Sequence, residues 1–361
     1  MKGIILSGGL GTRLRPLTHT GAKQLIPVAN KPILEYCIED LKTSGIREMA
    51  IIVGYTPEKI QSVKDTIGDG SKWDIQITYI EQDAPRGIAH ALYCARDYVG
   101  NDDMVLYLGD NILRDSIAPI IQSFHAQNLD AGLLLAEVKD PRPYGVAVLD
   151  KDDSLVGIIE KPHDPPSNFV VIGVYYFSSR VFSVIEQLEP SDRGEYEISD
   201  TIQILVTSPQ YETDAKQIQG WWDDTGTSDA ILRANQLILT DMIGYNYGII
   251  ETGAVLSGEV TIGEGTVIKA GSLIKGPVII GKNCEIGPTY IGPYTSIGDN
   301  CTVHGGEIEG SILIGDTILD IEPGKRITES LIGRHSFIYS TTKQLPHAYK
   351  LTIGENSEVH I

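Results

Sequence analysis

From Gly3 to about Asp130, short continuous apolar runs alternate with stretches whose apolar residues recur every three or four positions. The runs predict strands at Gly3–Leu6, Met49–Val53, Ile75–Ile80 and Met104–Leu108. The periodic stretches predict helices at Ile33–Thr43, Glu58–Ile67, Ile88–Tyr98 and Ser116–Gln127. Strands alternating with helices imply a doubly wound, largely parallel α/β sheet of Rossmann-like type. In such sheets the ligand crevice lies at the carboxyl ends of the strands. Between about Ala131 and Gln219 strands dominate, at Gly132–Val138, Gly145–Leu149, Val156–Glu160 and Phe169–Phe177. Helical patterns follow at Arg180–Leu188, Glu197–Leu205 and Ser228–Leu239.

Beyond Val255 the period changes. Ile262, Ile268, Ile274, Ile280 and Ile286 fall six residues apart, followed by Ile291, Ile297 and Val303, then Ile308 and Ile314, then Ile327 and Ile332. Glycine follows many of them, as in Ile262-Gly263, Ile280-Gly281 and Ile297-Gly298. A six-residue step fits neither an amphipathic helix nor ordinary hairpins. It is the hexapeptide pattern of a parallel β-helix, in which each aliphatic side chain fills the interior and the small residue permits the turn. The two five-residue steps and the segment Asp320 to Arg326 interrupt it and are expected as loops. The chain therefore divides into residues 1–240 and a repeat domain over residues 241–361.

A length of 361 residues suits two domains. The formal charge of −19 repels nucleic acid and anionic membrane, so neither is expected as a partner. Cysteines 37, 94, 284 and 301 form no Cys-x-x-Cys pair, which fits reduced thiols rather than a disulfide frame or a structural zinc site. No leader-like segment precedes the first strand, and no apolar run nears the length of a membrane span. A soluble cytoplasmic protein is expected.

Against that acidity, the stretch after the first strand stands out. Gly8, Gly9 and Gly11 expose backbone N–H groups that can wrap a phosphate chain, and Arg13, Arg15 and Lys23 add positive charge. The loop lacks the Gly-Lys-Ser/Thr of a Walker motif, and Leu14 stands where the dinucleotide fingerprint needs its third glycine. What remains, Gly-Gly-x-Gly-Thr-Arg-Leu with Lys23-Gln24-Leu25-Ile26-Pro27 beyond it, resembles the signature of the sugar-1-phosphate nucleotidylyltransferases. A solvated glycine-rich turn is the plainer reading of the glycines alone.

Two carboxylates extend the resemblance. Gly109-Asp110-Asn111 ends a buried strand, and Asp223-Asp224-Thr225-Gly226 lies in an aromatic, glycine-rich context. Two carboxylates from remote segments can hold Mg²⁺ beside bound phosphates, because a hard ion takes hard oxygen ligands. Taken alone, either aspartate is more often a turn or cap residue. Asp223 and Asp224 point to opposite faces of a strand, so only one reaches a metal. The family's Asp-Thr-Gly selects Asp224.

By the same resemblance Gln82 and Gly87 read the base of a thymidine or uridine nucleotide, and a side-chain amide suits an edge that both donates and accepts. Glu160 is expected on sugar hydroxyls and Lys161 on the sugar phosphate, provided the backbone bends there, with Tyr144, Gly145, Asn168 and Val171 completing the sugar pocket. Leu6, Thr12 and Gln24 join Gly8, Gly9, Gly11, Arg13 and Asp110 around the nucleotide. Arg193 to Glu197 also matches, with a less defined role, and Arg86 has none. No Ser/His/Asp or Cys/His constellation is present, and none is needed for direct in-line transfer.

Taken whole, the chain resembles the long-form glucose-1-phosphate thymidylyltransferases, in which a Rossmann-like nucleotidyltransferase domain precedes a left-handed parallel β-helix. The resemblance implies dTTP and glucose 1-phosphate as substrates, Mg²⁺ as cofactor and a homo-oligomer. UTP in place of dTTP, a bifunctional uridylyl/acetyl transferase, and a non-catalytic regulatory subunit of the same architecture are the rival expectations. A surviving set of charged residues argues against the last.

Overall fold

The computed structural model describes residues 1–152, 154–340, 348–349 and 351–360. It separates into two compact units, one of Met1–Leu10 with Ile33–Asp224 and one of Gly11–Pro32 with Thr225–Ile361. The first 240 residues thus contribute to both.

In the first unit four parallel strands lie in the order Met104–Leu108, Lys2–Ser7, Glu48–Val53, Gln76–Glu81. Strand Phe169–Phe177 joins antiparallel to Met104–Leu108 and is flanked by Ala131–Glu137 and Gly145–Leu149, so the nine-stranded sheet is mixed. Alternation along each strand decides what it faces. Ile4, Leu6, Ala50, Ile52 and Leu106 pack on helices Ile88–Tyr93 and Ile198–Thr207. On the other face, the Tyr107 hydroxyl donates to Asp40 of helix Ile33–Thr43 at 2.8 Å, and a Cβ at Gly132 would strike Phe124 of helix Ala118–Ala126. Both faces are covered, as the apolar runs require.

Because the chain leaves Lys2–Ser7 toward Glu48–Val53 on one side and returns to Met104–Leu108 on the other, the strand order reverses beside the first strand. Such a switch point opens a crevice beyond the strand ends. The expected single helix Ile88–Tyr98 is two, Ile88–Tyr93 and Arg96–Val99. The break comes where the Ala95 N–H turns back to the Leu92 carbonyl at 2.9 Å, an i to i−3 bond that tightens the turn and ends the α-helical ladder.

The second unit is a left-handed parallel β-helix whose three faces are sheets of seven, six and six parallel strands. Its interior is a file of Ile262, Ile268, Ile274, Ile280, Ile286, Ile291, Ile297, Val303, Ile308, Leu313, Leu319, Ile327, Ile332, Ile338 and Ile353. Ile314 is a correction: it is half-buried, and Leu313 fills the place assigned to it. The step from Ile308 is five residues, not six, so the inward position moves forward by one. Hydroxyls cap the corners, with Thr266 donating to the Gly281 carbonyl and Ser272 to that of Gly287, both at 2.6 Å. Segment Gly11–Pro32 is fastened to the same unit. The Ala29 N–H donates to Asn235 Oδ1 at 2.8 Å, Asn235 Nδ2 to the Tyr294 carbonyl at 3.0 Å, and Asn30 Nδ2 to the Ile297 carbonyl at 2.6 Å. No helix among the described residues is long and apolar enough to cross a membrane.

Candidate active site

The ends of the parallel strands carry the first group of expected residues. Leu6 closes its strand with its carbonyl accepting the Gly109 N–H at 3.0 Å, which sets the loop before Asp110 against the start of the glycine loop. Gly8 needs its missing side chain: a Cβ there would lie 3.0 Å from Gln82 Oε1 and 3.5 Å from the Gly54 backbone. Gly9 beside it is exposed, and Gln82 is buried at the end of its own strand. Gly87 adopts φ 100°, and Tyr196 crowds it so closely that no Cβ fits. The Tyr196 N–H donates to the Arg86 carbonyl at 2.8 Å and its carbonyl accepts from Ala89 at 3.2 Å. Here lies the structural work of the Arg193–Glu197 segment: it seats the Gly87 turn.

Asp110 sits in the tight turn between strand Met104–Leu108 and the short strand Asn111–Leu113. Strand Trp222–Asp224 pairs antiparallel with the latter, placing Asp224 opposite Asn111. Asp110 therefore directly precedes the residue that pairs with Asp224. Asp223 is buried and Asp224 is half-buried, as alternate faces of a strand require. Asp110 thus lies at the end of a parallel strand beside the strand that carries Asp224, and carboxylate oxygens are the donor type that fits a hard divalent cation.

Asn111, which the sequence reading left without a role, organises this corner. Its buried amide donates to Asp110 Oδ1 at 2.9 Å, while its own oxygen accepts from Trp222 Nε1 at 2.6 Å and from the Gly173 N–H at 3.2 Å. With both ends of the amide engaged, the Asp110 carboxylate is held in one direction. Gly173 admits the amide because a Cβ would lie 2.8 Å from it. Asn111 directly follows Gly-Asp, and that adjacency was the available signal.

Trp222 leads onward. Its ring meets Tyr144 edge-on at 5.3 Å, and the Tyr144 carbonyl accepts the Lys161 N–H at 3.0 Å. Glu160 pairs in register with Gly145, whose absent Cβ would lie 3.3 Å from the Glu160 carboxylate. Lys161 has φ 45°, a left-handed conformation that costs a non-glycine residue about 1–2 kcal/mol. The backbone thus bends directly after Glu160. Their charged ends meet at 2.7 Å, and Arg193 lies 3.9 Å from Glu160 while bonding Glu197 at 2.8 Å. Val171 is half-buried on strand Phe169–Phe177, just before its irregular register, and exposed Asn168 accepts the Val138 N–H through its carbonyl at 3.0 Å. Negative charge concentrates here. Burial first, then Glu197 and Glu160, push Asp200 above the usual carboxylate range, and burial followed by Glu160 and Asp110 raises the Tyr175 phenol.

The remaining expected residues belong to the second unit. Gly11, at φ 67°, opens the short turn Thr12–Leu14; its carbonyl accepts from Thr18 Oγ1 at 2.6 Å, and a Cβ on it would lie 3.2 Å from that of Lys23. Thr12 and Arg13 are exposed and Lys23 is half-buried. Gln24 is buried, and its Oε1 has no hydrogen-bond partner among the described residues, which suits a ligand donor.

Comparison with known proteins gives two family matches: a nucleotidyl transferase model over residues 2–241 and the six-repeat bacterial transferase hexapeptide model over residues 259–289. The chain is 46% identical, over the full length of both, to the low-salt glycan biosynthesis nucleotidyltransferase Agl11 of Haloferax volcanii. It is 41% identical to a glucose-1-phosphate thymidylyltransferase of Streptomyces antibioticus, covering 100% of this chain and 99% of that one. A solved structure from Bacillus anthracis, a proposed glucose-1-phosphate thymidylyltransferase in complex with a sucrose, aligns with TM-score 0.61 and 39% identity over 68% of this chain and 98% of its own.

Proposed function

Since the chain belongs to the nucleotidyl transferase family and carries the hexapeptide repeats behind that domain, we propose that it transfers a thymidylyl group from dTTP to glucose 1-phosphate, giving dTDP-glucose and pyrophosphate. The observation that carries this reading is the Asn111 corner. One buried amide ties Asp110 and, through Trp222 and Tyr144, the Glu160–Lys161 bend into a single connected set.

Enzymes of this family generally use a divalent metal. Asp110 and Asp224 would hold it, as Mg²⁺, and it would supply neutralisation of phosphate charge. The chain's own groups do the rest. Backbone N–H groups of Gly8, Gly9 and Gly11 cradle the triphosphate, with Leu6, Thr12 and Gln24 beside it. Gln82 and Gly87 hold the base. Lys161 aligns the sugar phosphate for in-line attack of its oxygen on the α-phosphorus, while Glu160, Tyr144, Gly145, Asn168 and Val171 orient the hexose. Arg13 and Lys23 offset charge on the leaving pyrophosphate as the bond to it breaks. No protein nucleophile takes part.

A pyrophosphate-release assay across dTTP, UTP and dCTP, each paired with several sugar 1-phosphates, tests the proposal. The highest kcat/KM is expected for dTTP with glucose 1-phosphate. UTP is the nearest competitor, because the methyl group separating the bases is worth about 1 kcal/mol. Turnover of UTP more than tenfold faster than dTTP would overturn the thymidylyl assignment, and no release with any pair would overturn the whole.

A further inference from the structure

Beside Gln82 lies a second polar pair that the reaction does not use. Gln82 Nε2 donates to His90 Nδ1 at 3.2 Å, and His90 Nε2 lies 3.3 Å from Asp83 Oδ1. Both contacts hold together in one tautomer only. An Nδ1 that accepts is bare, so the ring proton sits on Nε2 and points at the carboxylate. The ring is kept in place by Tyr196, stacked at 6.3 Å, whose backbone is bonded to Arg86 and Ala89. Arg86, 3.3 Å from Asp83, and Cys94, one helical turn beyond His90, are the other titratable groups facing it. Burial holds the His90 pKa below its ordinary value, Asp83 pulls the other way and Arg86 adds to the lowering. A ring that accepts at Nδ1 and carries its proton on Nε2 is the neutral form.

We propose that Asp83 and His90 form a positioning pair that locks the Gln82 amide in one orientation, so that the site reads a 2,4-dioxopyrimidine and rejects cytosine. The inference rests on Gln82 as the base-reading residue. With one N–H spent on His90, Gln82 keeps its second N–H and its Oε1, and the oxygen faces the Gly8 end of the glycine loop. Thymine and uracil present an acceptor at O4 and a donor at N3, which that N–H and that oxygen match. Cytosine presents the reverse, a donor at N4 and an acceptor at N3. Gln82 meets it only by turning its amide over, which sets Oε1 against the bare Nδ1, acceptor against acceptor. Without the imidazole the amide turns freely and the discrimination goes.

The measurement is the ratio of kcat/KM for dTTP to that for dCTP, or for UTP to CTP should the ribonucleotide be preferred. His90→Phe is expected to lower this ratio about tenfold or more. His90→Asn, whose amide oxygen replaces Nδ1 as acceptor, restores most of it; a residue that merely filled space would show neither change. In the unmodified protein the ratio falls as the pH drops through the His90 pKa, because the doubly protonated ring donates from Nδ1 and favours the overturned amide. In His90→Asn it stays flat. Titration of the nucleotide phosphates is common to both substrates and cancels. Gln82→Ala separates the two levels of inference: an unchanged ratio there removes Gln82 as base reader and the pair's role with it. A ratio that collapses in Gln82→Ala yet resists both His90→Phe and low pH overturns the locking pair alone. Should His90→Phe fail to fold, the pH series on the unmodified protein still decides.

Discussion

The two units bury side chains by different logics. In the β-helix each interior residue is set by its nearest neighbours along the chain: from Ile262 to Leu319 one inward aliphatic every five or six residues, stacked on its counterpart one coil away. In the mixed sheet, the residues of the corner come from positions 110, 111, 144, 161, 173 and 222, and no local period relates them. Repetition secures a structure that tolerates small shifts of register, as the five-residue step to Leu313 shows. The corner tolerates none, since the Asn111 amide has a partner at each end and Gly173 leaves no room beside it. Burial in the coil repeats along the chain, whereas the corner depends on single contacts between distant segments.

This contrast breaks most visibly at Asp110. Asp110→Ala is expected to cut pyrophosphate release by about a thousandfold or more while the circular dichroism spectrum and melting temperature stay near those of the parent. Activity within tenfold of the parent would remove Asp110 from the chemistry. The converse change lies in the coil. Ile286→Ala, deep in the stack, is expected to cost about 2–5 kcal/mol in unfolding experiments and leave kcat/KM nearly unchanged. A large kcat/KM loss at unaltered stability would show that the coil serves the reaction directly.

Intermediate in size is Gly87→Ala. With φ 100° and Tyr196 against it, the turn must shift, and KM for the nucleotide should rise about tenfold with little change in kcat. A normal KM would mean that the turn does not touch the base. The smallest effect compares two variants of one residue. Lys161→Ala and Lys161→Gly should both weaken sugar-phosphate binding, but the glycine variant should unfold about 1 kcal/mol later, because it alone is at ease at φ 45°. Equal stabilities would mean that the bend carries no strain.

The legibility of the sequence follows the same division. The coil was readable because its period is local, and the one misplaced interior residue, Ile314, came from carrying a six-residue step across a five-residue one. Most strands and helices of the sheet were readable from apolar runs, whereas strand Thr213–Gln217 is too polar to give one and the break after Tyr93 depends on a single backbone bond at Ala95. Among candidate site residues, motif adjacency indicated Asp110, Asp224, Glu160 and Lys161. Asn111 was marked only by following Gly-Asp, and Gly173 and His90 carried no mark. Their roles arise from contacts with residues 8 to 111 positions away in the chain.

What the sequence alone determined is the part governed by short-range chemistry: an α/β sheet with a parallel set of strands, a coil of hexapeptides, and a glycine-rich loop with cations in an acidic chain. Only the tertiary structure decided which of two consecutive aspartates is left half-buried, which amide holds Asp110, and which way Gln82 presents its edge. Those choices depend on strand pairing and on donors facing acceptors, and such directional contacts between distant segments exist only once the backbone has closed around them.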